Sequence, residues 1–199
     1  MAKETALQRD FFYYGADDRM KTDKVFSERD IIKCVKKGNK EAYQSIVEFY
    51  MKRAYYIALG FVHNHQDALD VSQKAFIKAF RKIKNFDSNK SFFPWFYRLL
   101  RNICIDHLKS HRYTSEIPLE AVQVLERANE DREMKEAIWK GIEKLDFNQR
   151  EAIILYYFQQ FSYKEIAEFT GKPLGTVMSC LYYSKKKLKG IIGKYLGLE

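Results

Sequence analysis

The sequence predicts an all-α protein built from two small helical domains that are joined by an acidic linker. The chain has 199 residues, 46% of them hydrophobic, but only nine Gly and three Pro. That composition argues against collagen-like, low-complexity and turn-rich all-β chains. Apolar side chains recur at steps of three or four residues through most of the chain, which is the spacing of one helix face. The predicted parts are a poorly ordered tail over 1–26, a first domain over 27–112, the linker over 113–130 and a second domain over 131–199.

The first domain begins with a short helix and a long one. Ser27 is a suitable N-cap for the short helix, and Gly38 can end it in the left-handed conformation. The long helix carries one apolar stripe, interrupted only by Arg53. The stripe consists of Ala42, Ile46, Phe49, Ile57 and Phe61.

Two further helices complete the first domain. The pattern breaks at 63–66 and restarts at Asp67, and the inner positions of this third helix are Ala68, Val71, Ala75, Phe76, Ala79 and Ile83. An irregular loop follows over 85–93. Pro94 fits the first turn of a fourth helix, where its missing N–H costs nothing, and that helix is predicted to reach about His111.

The second domain is predicted to contain four helices. The first two cover about 131–144 and 148–160. Ser162 with Glu165 forms a capping-box pattern that starts a third helix over 163–169. Gly171 and Pro173 turn the chain into the last helix, whose inner stripe is Val177, Leu181, Ser184, Leu188 and Ile191.

Charge is concentrated rather than spread along the chain. The formal net charge is +9, and residues 74–112 hold ten basic side chains against two acidic ones. Residues 114–136 hold seven acidic side chains against three basic ones, and five lysines between Lys185 and Lys194 close the pattern. A basic block, an acidic linker and a basic end favour a polyanionic partner.

The last two helices match a helix-turn-helix, in which the second helix enters the major groove of DNA. An ordinary helical hairpin is the alternative interpretation. The lysines at 185–187 favour DNA, because they can neutralise phosphates. The candidate DNA contacts on this helix are Thr176, Ser179, Tyr182, Tyr183, Lys185 and Lys186.

A block of aromatic and basic residues over 86–101 suggests binding to single-stranded nucleic acid. Unpaired bases stack on aromatic rings, while cations hold the phosphates. Phe96 and Leu99 are better explained as core, whereas Trp95 follows a polar loop and is expected to be more exposed. The candidate contacts are Lys90, Phe92, Trp95, Arg98, Arg101 and Asn102.

Three ordered blocks resemble bacterial sigma factors. Residues 67–76, DALDVSQKAF, are similar to the DAxDxxQxxF core of region 2. Residues 95–102, WFYRLLRN, with DHLK at 106–109, resemble the promoter-melting helix that follows it. Residues 149–151 (QRE), 163–167 (YKEIA) and 175–179 (GTVMS) resemble region 4. The lack of room for other sigma regions points to the extracytoplasmic function (ECF) group.

The resemblance implies a subunit that binds core RNA polymerase and directs it to promoter DNA. Asp67, Asp70 and Gln73 would bind polymerase, although a solvated polar face is the simpler explanation of those side chains. The loop over 85–93 and the following helix would hold and open the −10 element. The last helix would bind the −35 element as duplex, and an anti-sigma factor would be a further partner.

The last helix departs from the family pattern GTVxSRLxRAR. This chain has Met178, Cys180 and Tyr183 there, followed by Ser184 and Lys185. Arginine paired with guanine is the commonest specific base contact, so its loss should change which bases are recognised or weaken −35 recognition. The N-terminal tail is also extra, and its aromatic cluster at 11–14 could bind a regulator.

Other chemistry has little support. The longest apolar run, 152–158, is too short to cross a bilayer, and we expect a cytoplasmic protein. Cys34, Cys104 and Cys180 suggest no disulfide frame. Histidines at 63, 65, 107 and 111 lack a convincing metal-site pattern, so we expect no metal, no cofactor and no enzyme activity. The alternative functions are a stand-alone helix-turn-helix regulator and, in a third class, a metal-dependent helical enzyme.

Overall fold

The computed structural model describes residues 27–110, 137–195 and 197, and all of its regular elements there are helices. The predicted tail over 1–26 and linker over 113–130 lie outside the described residues. The two predicted helical domains are present, which confirms the all-α fold class, while their proposed boundaries remain predictions. None of the helices in the described ranges is both long and apolar enough to span a membrane.

Four helices form the first domain. They are α1 (Glu28–Lys36), α2 (Lys40–Val62), α3 (His65–Lys82) and α4 (Phe92–Ser110), with a short 3-10 turn at Ile83–Asn85. Ser27 caps α1, and Gly38 just beyond its end has φ +99°, as expected from the sequence. The third helix begins two residues before its predicted start, because Asn64 accepts a hydrogen bond from the backbone of Asp67 and so acts as its N-cap.

The core of the first domain follows the stripe predicted for the third helix. Its six inner residues are all buried, five of them on α3 and Ile83 in the 3-10 turn that follows. On α2 the predicted stripe is wrong at Phe49, which is 37% exposed. Ile46, Ile57 and Phe61 are buried as predicted, and Tyr50 and Ala54 also face inward. Tyr50 packs with its ring nearly parallel to that of Phe93, at a centroid distance of 5.5 Å.

The second domain contains α5 (residues 137–143), α6 (Phe147–Ile153), α7 (Tyr163–Thr170) and α8 (Leu174–Tyr195). The predicted helix over 148–160 is α6 followed by a π-helical segment, Ile154–Phe158. Val177, Leu181 and Ser184 are buried on α8, as the sequence predicts. This helix packs on both α6 and α7.

The two domains lie against each other. Helix α4 contacts α7, and α2 contacts α6 and the π-helical segment. Gly60 on α2 makes this approach possible, because a Cβ atom there would overlap the side chain of Ile154. A ring stack of Phe61 on Phe147, with centroids 4.9 Å apart, continues the contact. The interface therefore extends the hydrophobic core from one domain into the other.

Candidate nucleic-acid interface

The helix-turn-helix consists of α7, a turn at Gly171 and α8. Ser162 Oγ accepts from the Glu165 backbone N–H at 3.3 Å, and the Glu165 carboxylate accepts from the Ser162 N–H at 2.8 Å. This is the predicted capping box, and it satisfies two N–H groups at the start of α7. Gly171 ends α7 with φ +70°, the left-handed conformation that glycine adopts without a steric cost.

The outer face of α8 is open to solvent. Its rotation is set by the buried Val177, Leu181 and Ser184, and the Ser184 hydroxyl also donates to the Cys180 carbonyl at 2.6 Å. Five of the six predicted −35 contacts are exposed, and Lys185 is half-buried. The exposed ones are Thr176, Ser179, Tyr182, Tyr183 and Lys186. The structure therefore places these side chains on one accessible surface.

A basic cavity lies beside the C-terminal half of α8. It has a volume of about 720 Å³, and its cationic lining comes from Lys186, Lys187 and Lys194. Gln149 of α6 and Tyr183 form part of its wall. Three ammonium groups around an open cavity suit a phosphate backbone, which contributes affinity without sequence information.

The loop before α4 is anchored by α1. The Glu28 carboxylate accepts from the backbone N–H of Phe92, the first residue of α4, at 2.9 Å. Lys36 Nζ donates to the Phe86 carbonyl at 2.7 Å. Within the loop, Asp87 accepts from the Asn89 backbone, and this hydrogen bond lowers the pKa of Asp87. These hydrogen bonds hold the loop in place, and Lys90 is exposed within it.

The aromatic side chains of this block divide between core and surface. Phe92 is fully buried, so its ring is not available for base stacking in this arrangement. Its position at the first turn of α4 directs it into the core, where it stacks on Phe96 at 5.5 Å. Trp95 is half-buried, with its ring 4.8 Å from that of Phe86. Asn102 is exposed.

Two predicted −10 contacts face the second domain. Arg98 donates to the Glu168 carbonyl on α7 at 3.2 Å. Arg101 donates to the Glu151 carboxylate on α6, and its guanidinium carbon lies 5.1 Å from the ring centre of Phe147. The second domain therefore covers part of the surface that the sequence assigns to the −10 element.

Glu151 is the centre of this contact, and the sequence did not reveal its role. The buried carboxylate accepts from Arg101, from the Tyr97 hydroxyl at 2.7 Å and from Lys172 Nζ at 2.8 Å. Burial raises the pKa of Tyr97 well above its usual value, which keeps the hydroxyl protonated as a donor. Two cations and one hydroxyl thus compensate the burial of one negative charge.

A second polar contact explains the arginine within the α2 stripe. Arg53 Nε donates to the side-chain oxygen of Gln159 at 2.7 Å. Its guanidinium carbon lies 4.5 Å from the Phe93 ring centre and 4.7 Å from that of Phe161. Phe161 and Gln159 belong to the second domain, so the interruption of an apolar stripe by Arg53 was the one sequence signal for this interface.

Arg150 joins the end of α5 to α2. Its guanidinium donates to the carbonyls of Glu143 at 2.8 Å and Leu145 at 3.0 Å, and also to the Phe61 carbonyl at 3.3 Å. Carbonyls at a helix C-terminus lack partners within the helix and favour a cation. The QRE block therefore acts structurally through Arg150 and Glu151.

The predicted polymerase-binding residues lie on α3. Asp70 and Gln73 are exposed, and Asp70 pairs with Lys74 at 3.5 Å. Asp67 is half-buried, and its carboxylate lies 3.3 Å from His107 Nε2. Ile77 is 52% exposed on the same helix, four residues after Gln73. Ile77 lies outside the predicted inner stripe of α3, and an apolar residue at such a position is the sequence signal for an exposed contact there.

His63 and His65 pack at the end of α2 and the start of α3. His65 Nδ1 is hydrogen-bonded to the Tyr55 hydroxyl at 2.8 Å. His63 has φ 56° at the end of α2, and burial, with a smaller effect of the Arg150 charge, lowers the pKa of His63 to about 3. Among the described residues, no three His, Cys, Asp or Glu side chains are grouped so that they could hold a metal ion.

Comparison with known families gives two matches. The family profile described as Sigma-70 region 2 matches residues 46–114, and the profile described as Sigma-70, region 4 matches residues 135–188. The first covers α3, α4 and most of α2, and the second covers the helix-turn-helix. The two profiles thus fall on the two domains in the order predicted from the sequence.

Curated relatives match across both domains. The chain is 30% identical to the ECF RNA polymerase sigma factor SigW of Bacillus subtilis over 173 residues, which are 79% of this chain and 92% of that protein. It is 28% identical to the ECF RNA polymerase sigma-E factor of Escherichia coli, covering 84% of this chain and 92% of the relative. The RNA polymerase sigma-H factor of Pseudomonas aeruginosa is also 28% identical, over 81% of this chain and 91% of that protein.

Solved structures share the fold. CnrH, in complex with the cytosolic domain of CnrY, has a TM-score of 0.67 at 23% identity, covering 84% of this chain and 97% of that one. RpoE of Bartonella quintana, in complex with the anti-sigma factor NepR, has a TM-score of 0.60 at 20% identity, with 76% and 97% covered. Given the two region profiles and the relatives that span both domains, this chain belongs to the ECF sigma factors of bacterial RNA polymerase.

Proposed function

We propose that this sigma factor initiates transcription through three surfaces of its own chain. The outer face of α3 binds core polymerase through Asp67, Asp70 and Gln73, assisted by the exposed Ile77. The loop before α4 and the exposed part of that helix hold the −10 strand. The outer face of α8 contacts the −35 duplex. The proposed −10 contacts are Lys90, Trp95, Arg98, Arg101 and Asn102, and the −35 contacts are Thr176, Ser179, Tyr182, Tyr183, Lys185 and Lys186.

The observation that carries this proposal is the open outer face of α8 together with the lysines on the same helix. Any surface helical hairpin leaves one face of its second helix open, but α8 combines an open, uncharged outer face in its first three turns with a run of lysines, Lys185–Lys187, directly after it. This combination is that of a helix that enters a groove with phosphates on either side. It favours DNA binding by the second domain.

The −10 surface requires the domains to separate. Arg98 and Arg101 are bonded to α7 and α6 in the arrangement described above. Arg98 is exposed even in this arrangement, whereas the half-buried guanidinium of Arg101 becomes fully accessible to a DNA strand only after the second domain has moved from α4. We infer that polymerase binding supplies this separation, because it holds the two domains on different parts of its surface.

We expect catalysis to belong to the polymerase and not to this chain, and we expect the protein to act in the cytoplasm, where promoter DNA is found. An anti-sigma factor is a further expected partner. The support for that partner is indirect: RpoE, which has the same fold, was solved with NepR. A protein that binds the arrangement in which α6 and α7 contact α4 would keep Arg101 in its contact with Glu151.

Co-purification and transcription test the proposal. The full chain should co-purify with core polymerase at low salt, and the holoenzyme should produce run-off transcripts from a promoter identified by mapping transcript starts after overexpression. DNA binding with no polymerase association at low salt would instead support the stand-alone regulator.

Trp95 provides a test of the −10 surface. Trp95→Ala should leave binding to duplex promoter DNA nearly unchanged but impair strand opening detected by permanganate reactivity, since a half-buried ring lost from α4 can no longer support an unpaired base. Phe49→Ala is a matched control, because Phe49 is a partly exposed aromatic residue outside all three surfaces. Equal opening by both variants would show that Trp95 is only a packing residue.

A further inference from the structure

The first turns of α8 present an outer face without any charged side chain. Between Pro173 and Ser184 the sequence contains no Asp, Glu, Lys or Arg. The large side chains on this stretch are nevertheless solvent-exposed: Leu174 by 40%, Met178 by 50%, Tyr182 by 61% and Tyr183 by 60%. Exposed apolar side chains clustered on one face usually mark a binding surface.

Two of the residues beside Met178 and Tyr182 are small. A Cβ atom added at Gly175 would meet nothing within 4 Å, and the Ser179 hydroxyl is turned back to the Thr176 carbonyl at 3.1 Å. The thioether of Met178 and the ring of Tyr182 therefore project into solvent about one helical turn apart, flanked by the exposed Leu174 and Tyr183. The buried inner stripe prevents the helix from rotating them away.

The lysine that precedes this face is bonded to other residues, and the lysines that follow it lie further along the helix. Lys172, just before α8, donates to Asn148 at 2.9 Å and to Glu151 at 2.8 Å. The next lysines begin at Lys185, a full three turns into the helix. Positive charge is thus available for phosphates beside the groove, but not for base edges under the N-terminal turns of α8.

An uncharged apolar face in the major groove has one good base partner. Guanine and cytosine present polar groups there, whereas thymine presents its C5-methyl group, which apolar side chains contact. We propose that Met178 and Tyr182 are specificity-determining residues that select thymine in the −35 element through its methyl group, while Lys185–Lys187 supply sequence-independent affinity. This inference rests on the proposed function, and the five lysines at the end of the chain favour duplex DNA over a protein as the occupant of this face.

Removal of the thymine methyl group is the direct test. The holoenzyme is first used to select preferred −35 sequences from duplexes randomised at that element. Each thymine of the selected element is then replaced by uracil, which differs only in lacking the methyl group. We expect binding to fall about fourfold at one or two positions, the equivalent of one buried methyl group. The same replacement in the spacer is the control and should have no effect.

Protein variants connect the effect to the side chains. Met178→Ala or Tyr182→Ala should remove the difference between thymine and uracil at one position. Lys187→Ala should weaken both duplexes equally, because a phosphate contact does not distinguish bases. Met178→Arg should move the selected base at its position towards guanine.

The outcomes separate this inference from the function on which it rests. Two outcomes would overturn the thymine contact but leave the sigma function intact. In the first, the holoenzyme transcribes and its binding does not change when uracil replaces thymine; in the second, the selected −35 element is rich in guanine and cytosine. Run-off transcription without any sequence preference at −35 also overturns it, since the face would then be free for a protein. Failure to transcribe at all would count against the proposed function itself.

Discussion

Glu151 is a single buried carboxylate on which the contact between the two domains depends. It accepts from Tyr97 and Arg101 on α4 and from Lys172 near the start of α8. Removal of one member of a buried ionic group leaves the others desolvated without compensation. The cost of such a change is therefore larger than the value of the ion pair itself.

Glu151→Ala should lower the free energy of unfolding by about 3 kcal/mol, measured by urea denaturation at neutral pH. Glu151→Gln should cost less, because the amide oxygen can still accept from Tyr97. Glu168→Gln is the control, since that side chain is exposed on α7, and it should change stability by no more than about 0.5 kcal/mol. A loss equal to that of the control would mean that the Glu151 network contributes no net stability.

His63 should make stability depend on pH. Its folded pKa of about 3 lies below the ordinary value of 6.5, so the unfolded chain binds a proton that the folded chain excludes. Above pH 6.5 His63 is neutral in both states, so it should not make the free energy of unfolding depend on pH. Between about pH 6 and pH 4 the free energy of unfolding should fall by roughly 1 kcal/mol for each pH unit.

His63→Asn isolates this effect, because Asn tolerates the left-handed backbone of His63 at φ 56° but does not titrate. Thermal or urea unfolding from pH 7 to pH 4.5 measures the free energy of unfolding of both proteins. The wild type should lose stability relative to the variant as the pH falls. A constant difference would show that burial of His63 is not linked to protonation.

At the scale of elements, two helical glycines have opposite surroundings. Gly60 on α2 lies directly against Ile154 of the π-helical segment, whereas a Cβ atom at Gly190 on α8 would meet nothing within 4 Å. Alanine is the better helix former in both cases. Packing therefore decides the sign of each substitution.

Gly190→Ala should stabilise the chain by up to about 1 kcal/mol through helix propensity alone. Gly60→Ala should destabilise it by about 1–2 kcal/mol, because overlap with Ile154 outweighs the same gain. Denaturant unfolding of the two variants side by side checks this. Equal stabilisation by both would mean that the domains do not press together at Gly60.

For the whole molecule, the proposed function predicts that the distance between the two domains increases when the protein binds polymerase. In the free chain α4 contacts α7 and α2 contacts α6. Dyes attached at Arg81→Cys on α3 and Lys164→Cys on α7, both exposed positions in different domains, should show high energy transfer in a chain whose native cysteines have been replaced. Addition of core polymerase should lower the transfer as α7 leaves α4. Unchanged transfer in a holoenzyme that is active in transcription would contradict domain separation.

The amino-acid sequence is sufficient to predict the helices, the helix-turn-helix and the family. These depend on local signals: the periodicity of the α3 stripe, the Ser162–Glu165 capping box and motif blocks in order along the chain. Local signals survive in a single sequence because they act over a few residues. The error at Phe49 shows their limit, since a long helix has apolar residues on several sides, and packing selected the neighbouring Tyr50 for the core instead.

Which polar residues meet across the two domains becomes visible only in the folded chain. Glu151 and Tyr97 are 54 positions apart, and Arg53 and Gln159 are 106 apart. The sequence around each of these residues does not identify its partner. The groups that compensate a buried charge are brought together only by packing. The same packing made Phe92 a core residue, partly buried Arg101 against Glu151, and left Met178 and Tyr182 in solvent. The sequence thus specified the domains, while their contact determines which predicted surfaces are open.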